Sequence, residues 1–135
     1  MDILVDSNII LDIVTEDHRW FEWSSGTLAR LAENHSLAVN PIIYAEVSIG
    51  FERIEEVEVV MALDYFRRLP LPWEAAFLAG KCFRQYRRKG GKRRSPLPDF
   101  YIGAHAAVAG MVLLTRDKNR YQTYFPKLKI IGPDN

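Results

Sequence analysis

With 135 residues the chain is long enough for one domain with a real hydrophobic core, and hydrophobic residues at 48% exclude a disordered composition. The 18 basic and 17 acidic residues nearly cancel, so net charge identifies no partner and only the distribution of charge can. Cys82 stands alone, which excludes an internal disulfide framework and suits a reducing compartment. The apolar run behind Met1-Asp2 is too short for a signal peptide, and Ala104–Leu114, which contains His105, is too short to cross a bilayer. The expectation is a soluble cytoplasmic protein.

Ile3–Val5 reads as a short buried strand, ended by Asp6 and followed by a helix through about Val14. Trp20, Trp23, Thr27, Leu28 and Leu31 recur at helical spacing, and Asn34-His35 ends that helix. Leu37–Val39 is a second strand. Asn40 and Pro41 fit the N-cap and first position of the next helix, which carries Ile42, Ala45, Glu46 and Ile49 and can end at Gly50. Glu55–Arg68 is expected as a helix on Val57, Val60, Met61, Leu63 and Phe66. Leu69–Pro72 is a stiff connection with room for a short strand. Trp73–Lys89 is a long helix broken at Gly90-Gly91, and Ser95–Pro98 is extended, as residues before proline tend to be. Asp99–Ala109 is a small-residue helix closed by Gly110. Met111–Thr115 is the clearest buried strand, followed by a helix over Asp117–Tyr124 and a last strand at Lys129–Ile131. Strands alternating with helices imply a single α/β domain with a central parallel β-sheet flanked by α-helices on both faces.

In such a sheet ligands bind outside the carboxyl ends of the strands. Asp6 and Asp117 each follow a strand. Glu46 lies in the first half of a helix that leaves that edge, and Asp99 lies in the first turn of another. Topology therefore gathers Asp6, Glu46, Asp99 and Asp117, from four segments, on one side of the molecule. Each has an ordinary explanation alone: helix cap, first-turn acid or solvated helix face. Together they need cations, and Arg116 and Lys118 flank Asp117 only. Mg²⁺ or Mn²⁺, which prefer oxygen ligands, would relieve the repulsion. His18, His35 and His105 match no zinc spacing, Gly90-Gly91-Lys92 is not a phosphate-binding loop, and no G-x-S-x-G supplies a serine nucleophile. Asp12 reads as a solvated or structural acid.

Val5–Asp12 (VDSNIILD), the Tyr44-Ala45-Glu46-Val47 helix, Leu97-Pro98-Asp99 opening an alanine-rich helix, and Thr115-Arg116-Asp117 after a buried strand together resemble the PIN domain, in its small form similar to VapC toxins of toxin–antitoxin pairs. The resemblance runs from about Asp2 to Ile131. It departs from the family pattern after Asp117, where Lys118-Asn119-Arg120-Tyr121 replaces an acidic-aromatic continuation. What it implies is a PIN-like fold and a Mg²⁺- or Mn²⁺-dependent endoribonuclease that leaves a 5′-phosphate and a 3′-hydroxyl. Asp6, Glu46, Asp99 and Asp117 would form its catalytic and metal-binding cluster, with Ser7, Asn8 and Thr115 orienting carboxylates or water. A VapB-like antitoxin partner and a homodimer or toxin–antitoxin hetero-oligomer are implied as well. Trp20, Trp23, Val59 and Met61 are the residues to test for partner contact.

An acidic pocket repels RNA, so basic residues are required beside it. Lys81, Arg84, Arg87, Arg88, Lys89, Lys92, Arg93 and Arg94 form the densest basic run and lead directly into Asp99. Arg87, Arg88, Lys89, Lys92, Arg93 and Arg94 are the expected phosphate contacts. Tyr86 and Tyr101 have rings that can stack on bases or pack internally. Two rival readings are a noncatalytic RNA- or protein-binding module on the same fold and a phosphoacceptor signalling domain. The second calls for paired acids after the first strand and a late strand-end lysine; only Asp6 stands at the first place, and Lys129 precedes its strand.

Overall fold

A computed structural model describes residues 2–92 and 97–133. Five strands form one sheet: β1 (Asp2–Val5), β2 (Ser36–Val39), β3 (Arg67–Arg68), β4 (Val112–Leu114) and β5 (Ile130–Ile131). Their spatial order is β3-β2-β1-β4-β5, and every pairing is parallel. Successive strand residues point to opposite faces. Leu4 and Val5 in β1, and Leu113 and Leu114 in β4, are all fully buried, so the centre of the sheet is covered on both faces.

The covering helices are α1 (Ser7–Val14), α2 (Phe21–Ala32), α3 (Pro41–Ser48), α4 (Ile54–Val60), α5 (Trp73–Arg88), α6 (Pro98–Ala109) and α7 (Lys118–Tyr124). Local chemistry sets their ends. Asn40 caps α3 by accepting from the Ile43 N–H at 2.9 Å, with Pro41 at the first position. Gly110, at φ 68°, closes α6 in the left-handed conformation that a side chain disfavours. Among the described residues no helix is long and apolar enough to cross a membrane.

The expected helix over Glu55–Arg68 is shorter than its apolar pattern. It ends at Val60, the Tyr65 and Phe66 N–H groups donate to the Ala62 carbonyl, and Arg67–Arg68 pair with Ala38–Val39. Leu63 is exposed and Met61 and Phe66 are buried, so the apolar positions serve a turn and a strand rather than one helix face. The edge strand therefore precedes the Leu69–Pro72 connection. Of the extended segment expected at Ser95–Pro98, Ser95 and Pro96 lie outside the described residues, and Pro98 opens α6.

β1 has β2 on one side and β4 on the other, with the chain leaving in opposite directions on the two sides. This is the switch point at which parallel sheets hold ligands, beyond the carboxyl end of the central strand. Asp6 occupies that position, and its N–H extends the ladder by donating to Leu114 O at 2.9 Å.

Candidate active site

Asp6 is 3% exposed and is the N-cap of α1. Its Oδ1 accepts from the Ser7 N–H at 2.7 Å, and its Oδ2 faces the Thr115 hydroxyl at 2.7 Å and the Tyr121 hydroxyl at 2.8 Å. Burial is the main cause that pushes its pKa up from 3.8 to about 6; the bonds from Thr115 and Tyr121 work against the rise, and the charges of Asp99 and Glu46 add to it. Glu46, half-buried on α3, accepts from Ser7 Oγ at 2.7 Å. Its pKa is also raised, first by burial, with Asp99 adding to the shift and the Ser7 bond opposing it. The two carboxylates are thus tied through one serine, the first residue of α1.

Asp99 enters from the first turn of α6. Tyr121 Oη lies 3.2 Å from its Oδ1, and Arg120 Nη1 lies 3.0 Å from its Oδ2. Tyr121 therefore bridges Asp6 and Asp99. One phenol carries one hydrogen, so Tyr121 donates to one of the two carboxylates at a time. Asp117 lies at the rim. Asn8 Nδ2 donates to its Oδ2 at 3.2 Å, and its N–H donates to Thr115 Oγ1 at 3.1 Å. Arg120 reaches it as well, at 3.8 Å. The structure accordingly joins Asp6, Glu46, Asp99 and Asp117, and with them Ser7, Asn8 and Thr115, in one hydrogen-bonded group.

A family model for the PIN domain matches residues 3–126. The chain belongs to the PIN domain family. Its fold is similar to that of VapBC2 from Rickettsia felis bound to a promoter DNA fragment (TM-score 0.73, 19% identity, 99% of this chain and 100% of that one). It is similar also to VapBC-1 from nontypeable Haemophilus influenzae (0.72, 20%, 98% of each) and to a toxin–antitoxin complex from Klebsiella pneumoniae (0.68, 21%, 98% of each). No curated protein matches the chain in sequence.

In this PIN domain the acids are held by two residues the motif reading passed over. Arg120 and Tyr121 sit three and four residues beyond Asp117, the spacing that returns a helical side chain to the face of its N-terminus. That spacing was the available signal. Arg116, in contrast, does not serve Asp117: its guanidinium bonds both oxygens of Asp12 at 2.9 Å, and Asp12 also accepts from Ser24 Oγ at 2.7 Å. Asp12 is 2% exposed, so it is a structural acid and not a solvated one. Arg116 also lies over the Trp20 ring at 5.4 Å, where Arg19 lies at 5.1 Å.

An oxygen-only set of carboxylates, two of them with raised pKa values, suits a hard divalent cation. Among the described residues no three of these side chains already stand in a metal-holding arrangement. Arg120 and Tyr121 lie on the oxygens that a cation would take from Asp6 and Asp99. His105 is not part of the group: it is buried on α6, with its Nδ1 2.9 Å from Asn40 Nδ2. Of the expected RNA contacts, Arg87 and Arg88 lie on the last turn of α5, and Lys89 and Lys92 are exposed just beyond it. Arg93 and Arg94 lie outside the described residues. Tyr86 packs against Phe83 and Phe100. Met61 is fully buried and is removed from the expected partner contacts, whereas Val59 is 78% exposed.

Proposed function

We propose that this PIN domain is a Mg²⁺- or Mn²⁺-dependent endoribonuclease and the toxin of a VapBC-type pair. The observation that carries the reading is the convergence of Asp6, Glu46, Asp99 and Asp117 at the switch point, with the pKa of buried Asp6 pushed up to about 6. PIN domains are in general nucleases, which supports hydrolysis of a nucleic acid. Asp6 and Asp99 would hold the cation, with Glu46 and Asp117 as further oxygen donors. When bound, the cation supplies a lowered pKa to coordinated water and offsets charge on the phosphate oxygens. Ser7 aims Glu46, Thr115 and Tyr121 fix the Asp6 carboxyl, and Asn8 fixes Asp117. Arg120, 61% exposed at the rim, is placed to pass from Asp99 to a substrate phosphate. No enzyme nucleophile is required, and the products would carry a 5′-phosphate and a 3′-hydroxyl.

The toxin assignment is supported by the likeness of the fold to VapBC proteins and to a toxin–antitoxin complex. It also has a surface to use. An apolar groove of about 250 Å³ is lined by Ile10, Ile13, Leu28, Val60 and Tyr65, and Val59, next to Val60 on α4, stands exposed. On this reading the groove would seat an apolar side chain of a VapB-like antitoxin helix.

The test is cleavage of a pool of structured RNAs in Mg²⁺ or Mn²⁺ and in EDTA, beside Asp6→Asn and Asp99→Asn. Cleavage confined to the wild-type protein with metal is expected, with each variant reduced by about 10²-fold or more. Cleavage that survives EDTA or either substitution overturns the mechanism.

A further inference from the structure

Four carboxylates converge at the switch point, and their mutual repulsion calls for a counter-ion. The two cations that flank Asp117 in sequence do not supply it. Arg116 is committed to Asp12, with a nitrogen 2.9 Å from each of its oxygens. Lys118 is exposed and makes no ion pair among the described residues. Among the described residues the ion pairs of the four acids all run to Arg120, which lies in the segment where the chain departs from the family pattern.

The placement of Arg120 is that of a cation shared between carboxylates. One nitrogen, Nη1, serves two of them, at 3.0 Å from Asp99 Oδ2 and 3.8 Å from Asp117 Oδ2. Its charge also works against the raised pKa of Glu46. On the other side of Asp99, Tyr121 Oη lies 3.2 Å from Oδ1, so two successive residues of α7 take both oxygens of that carboxylate. A Mg²⁺ ion bound to Asp99 would need one of those oxygens at about 2.1 Å. Beside Oδ2 the ion and the guanidinium would be like charges at contact distance, so one works against the other. The arginine is the displaceable member. It is 61% exposed, and an exposed ion pair holds only weakly.

We infer that Arg120 is a built-in counter-ion that competes with the divalent cation for Asp99 and Asp117: it holds these acids together until the cation enters, and the cation enters by displacing it. The inference rests on the metal-dependent reading of the site and adds a threshold to it. Only the fraction of molecules in which Arg120 has left Asp99 can take the cation, and the apparent affinity is weakened by that fraction. The chain thus binds its cation less tightly than the four acids alone would.

The test is a calorimetric titration with Mn²⁺ in about 0.15 M salt, where exposed charges well out of contact are largely screened. Wild type, Arg120→Ala and Lys118→Ala are compared. Both variants lose one positive charge from α7, but only the first loses a contact with the acids. Arg120→Ala should bind Mn²⁺ about fivefold more tightly than wild type, the change that releasing an exposed ion pair can give, while Lys118→Ala stays within about twofold. A second measurement needs no altered site. In wild-type protein the Arg120 Nε–H resonance, identified by its loss in Arg120→Ala, should move to the position of a solvated arginine as Mg²⁺ saturates the protein. An Arg120→Ala affinity less than about twofold above wild type, an equal gain in Lys118→Ala, or an Arg120 resonance unmoved by bound Mg²⁺ overturns the inference. In each of those cases the cation still binds, so the metal-dependent reading stands. If neither wild type nor Arg120→Ala binds Mn²⁺, both fall.

Discussion

The Asp6 carboxylate is an unfavourable placement that the fold sustains. Its folded pKa of about 6 lies above the ordinary 3.8, so the folded state gives up the proton less readily than the unfolded chain. Stability is therefore lost as pH rises from about 3.8 through about 6, by on the order of 3 kcal/mol. Asp6→Asn removes the charge and keeps an acceptor for the Ser7 N–H. In EDTA it should raise the melting temperature by several degrees above pH 6, corresponding to about 1–2 kcal/mol after the Thr115 and Tyr121 hydroxyls re-pair. The gain should shrink as pH falls from about 6 toward 3.8, because the wild-type carboxyl is then neutral too. Denaturant unfolding of both proteins across that range checks the sign; a variant less stable than wild type above pH 6 would show that Asp6 is not strained. His105 behaves oppositely. Burial holds its pKa below 6.5, so acidification through 6.5 protonates the unfolded chain first and destabilises the fold.

At the scale of elements, the acids are positioned by bonds between helices. Asn40 caps α3 through Ile43 and faces His105 on α6, so one side chain ties the helix that carries Glu46 to the helix that carries Asp99. Asn40→Ala removes the cap and leaves a buried histidine nitrogen unpaired. A loss of about 2–4 kcal/mol is expected, measured as a lower denaturation midpoint at constant m-value. Asn40 was legible in the sequence because a cap and a following proline are local signals. The helix over residues 55–68 was not. Met61, Leu63 and Phe66 continue the helical spacing, and only the demand for an edge strand beside β2 turns the chain at Ala62–Tyr65. Tyr121 and Arg120 were missed for a related reason. Their spacing from Asp117 was visible, but that α7 lies against Asp6 and Asp99 is a tertiary fact. Asp12 and Arg116 belong here too: neither neighbour in sequence marks them as partners, yet their bidentate pair clamps the Thr115–Asp117 turn to α1.

For the whole molecule, the order β3-β2-β1-β4-β5 does the gathering. Strand polarity alone places Asp6, Glu46, Asp99 and Asp117 on one edge, which is why the candidate site was legible without a single contact being known. What polarity does not supply is the closeness of the four. That comes from Ser7 joining Asp6 to Glu46, Tyr121 joining Asp6 to Asp99, and Asn8 reaching Asp117. The role proposed for this group is to hold a divalent cation. Calorimetric titration of the purified chain with Mn²⁺ above pH 6 tests it most directly. Saturable binding by wild type, weakening as pH falls below about 6 and lost in both Asp6→Asn and Asp99→Asn, is the predicted result. Wild-type protein that takes up no Mn²⁺, or an Asp99→Asn variant that binds it unchanged, would contradict the claim.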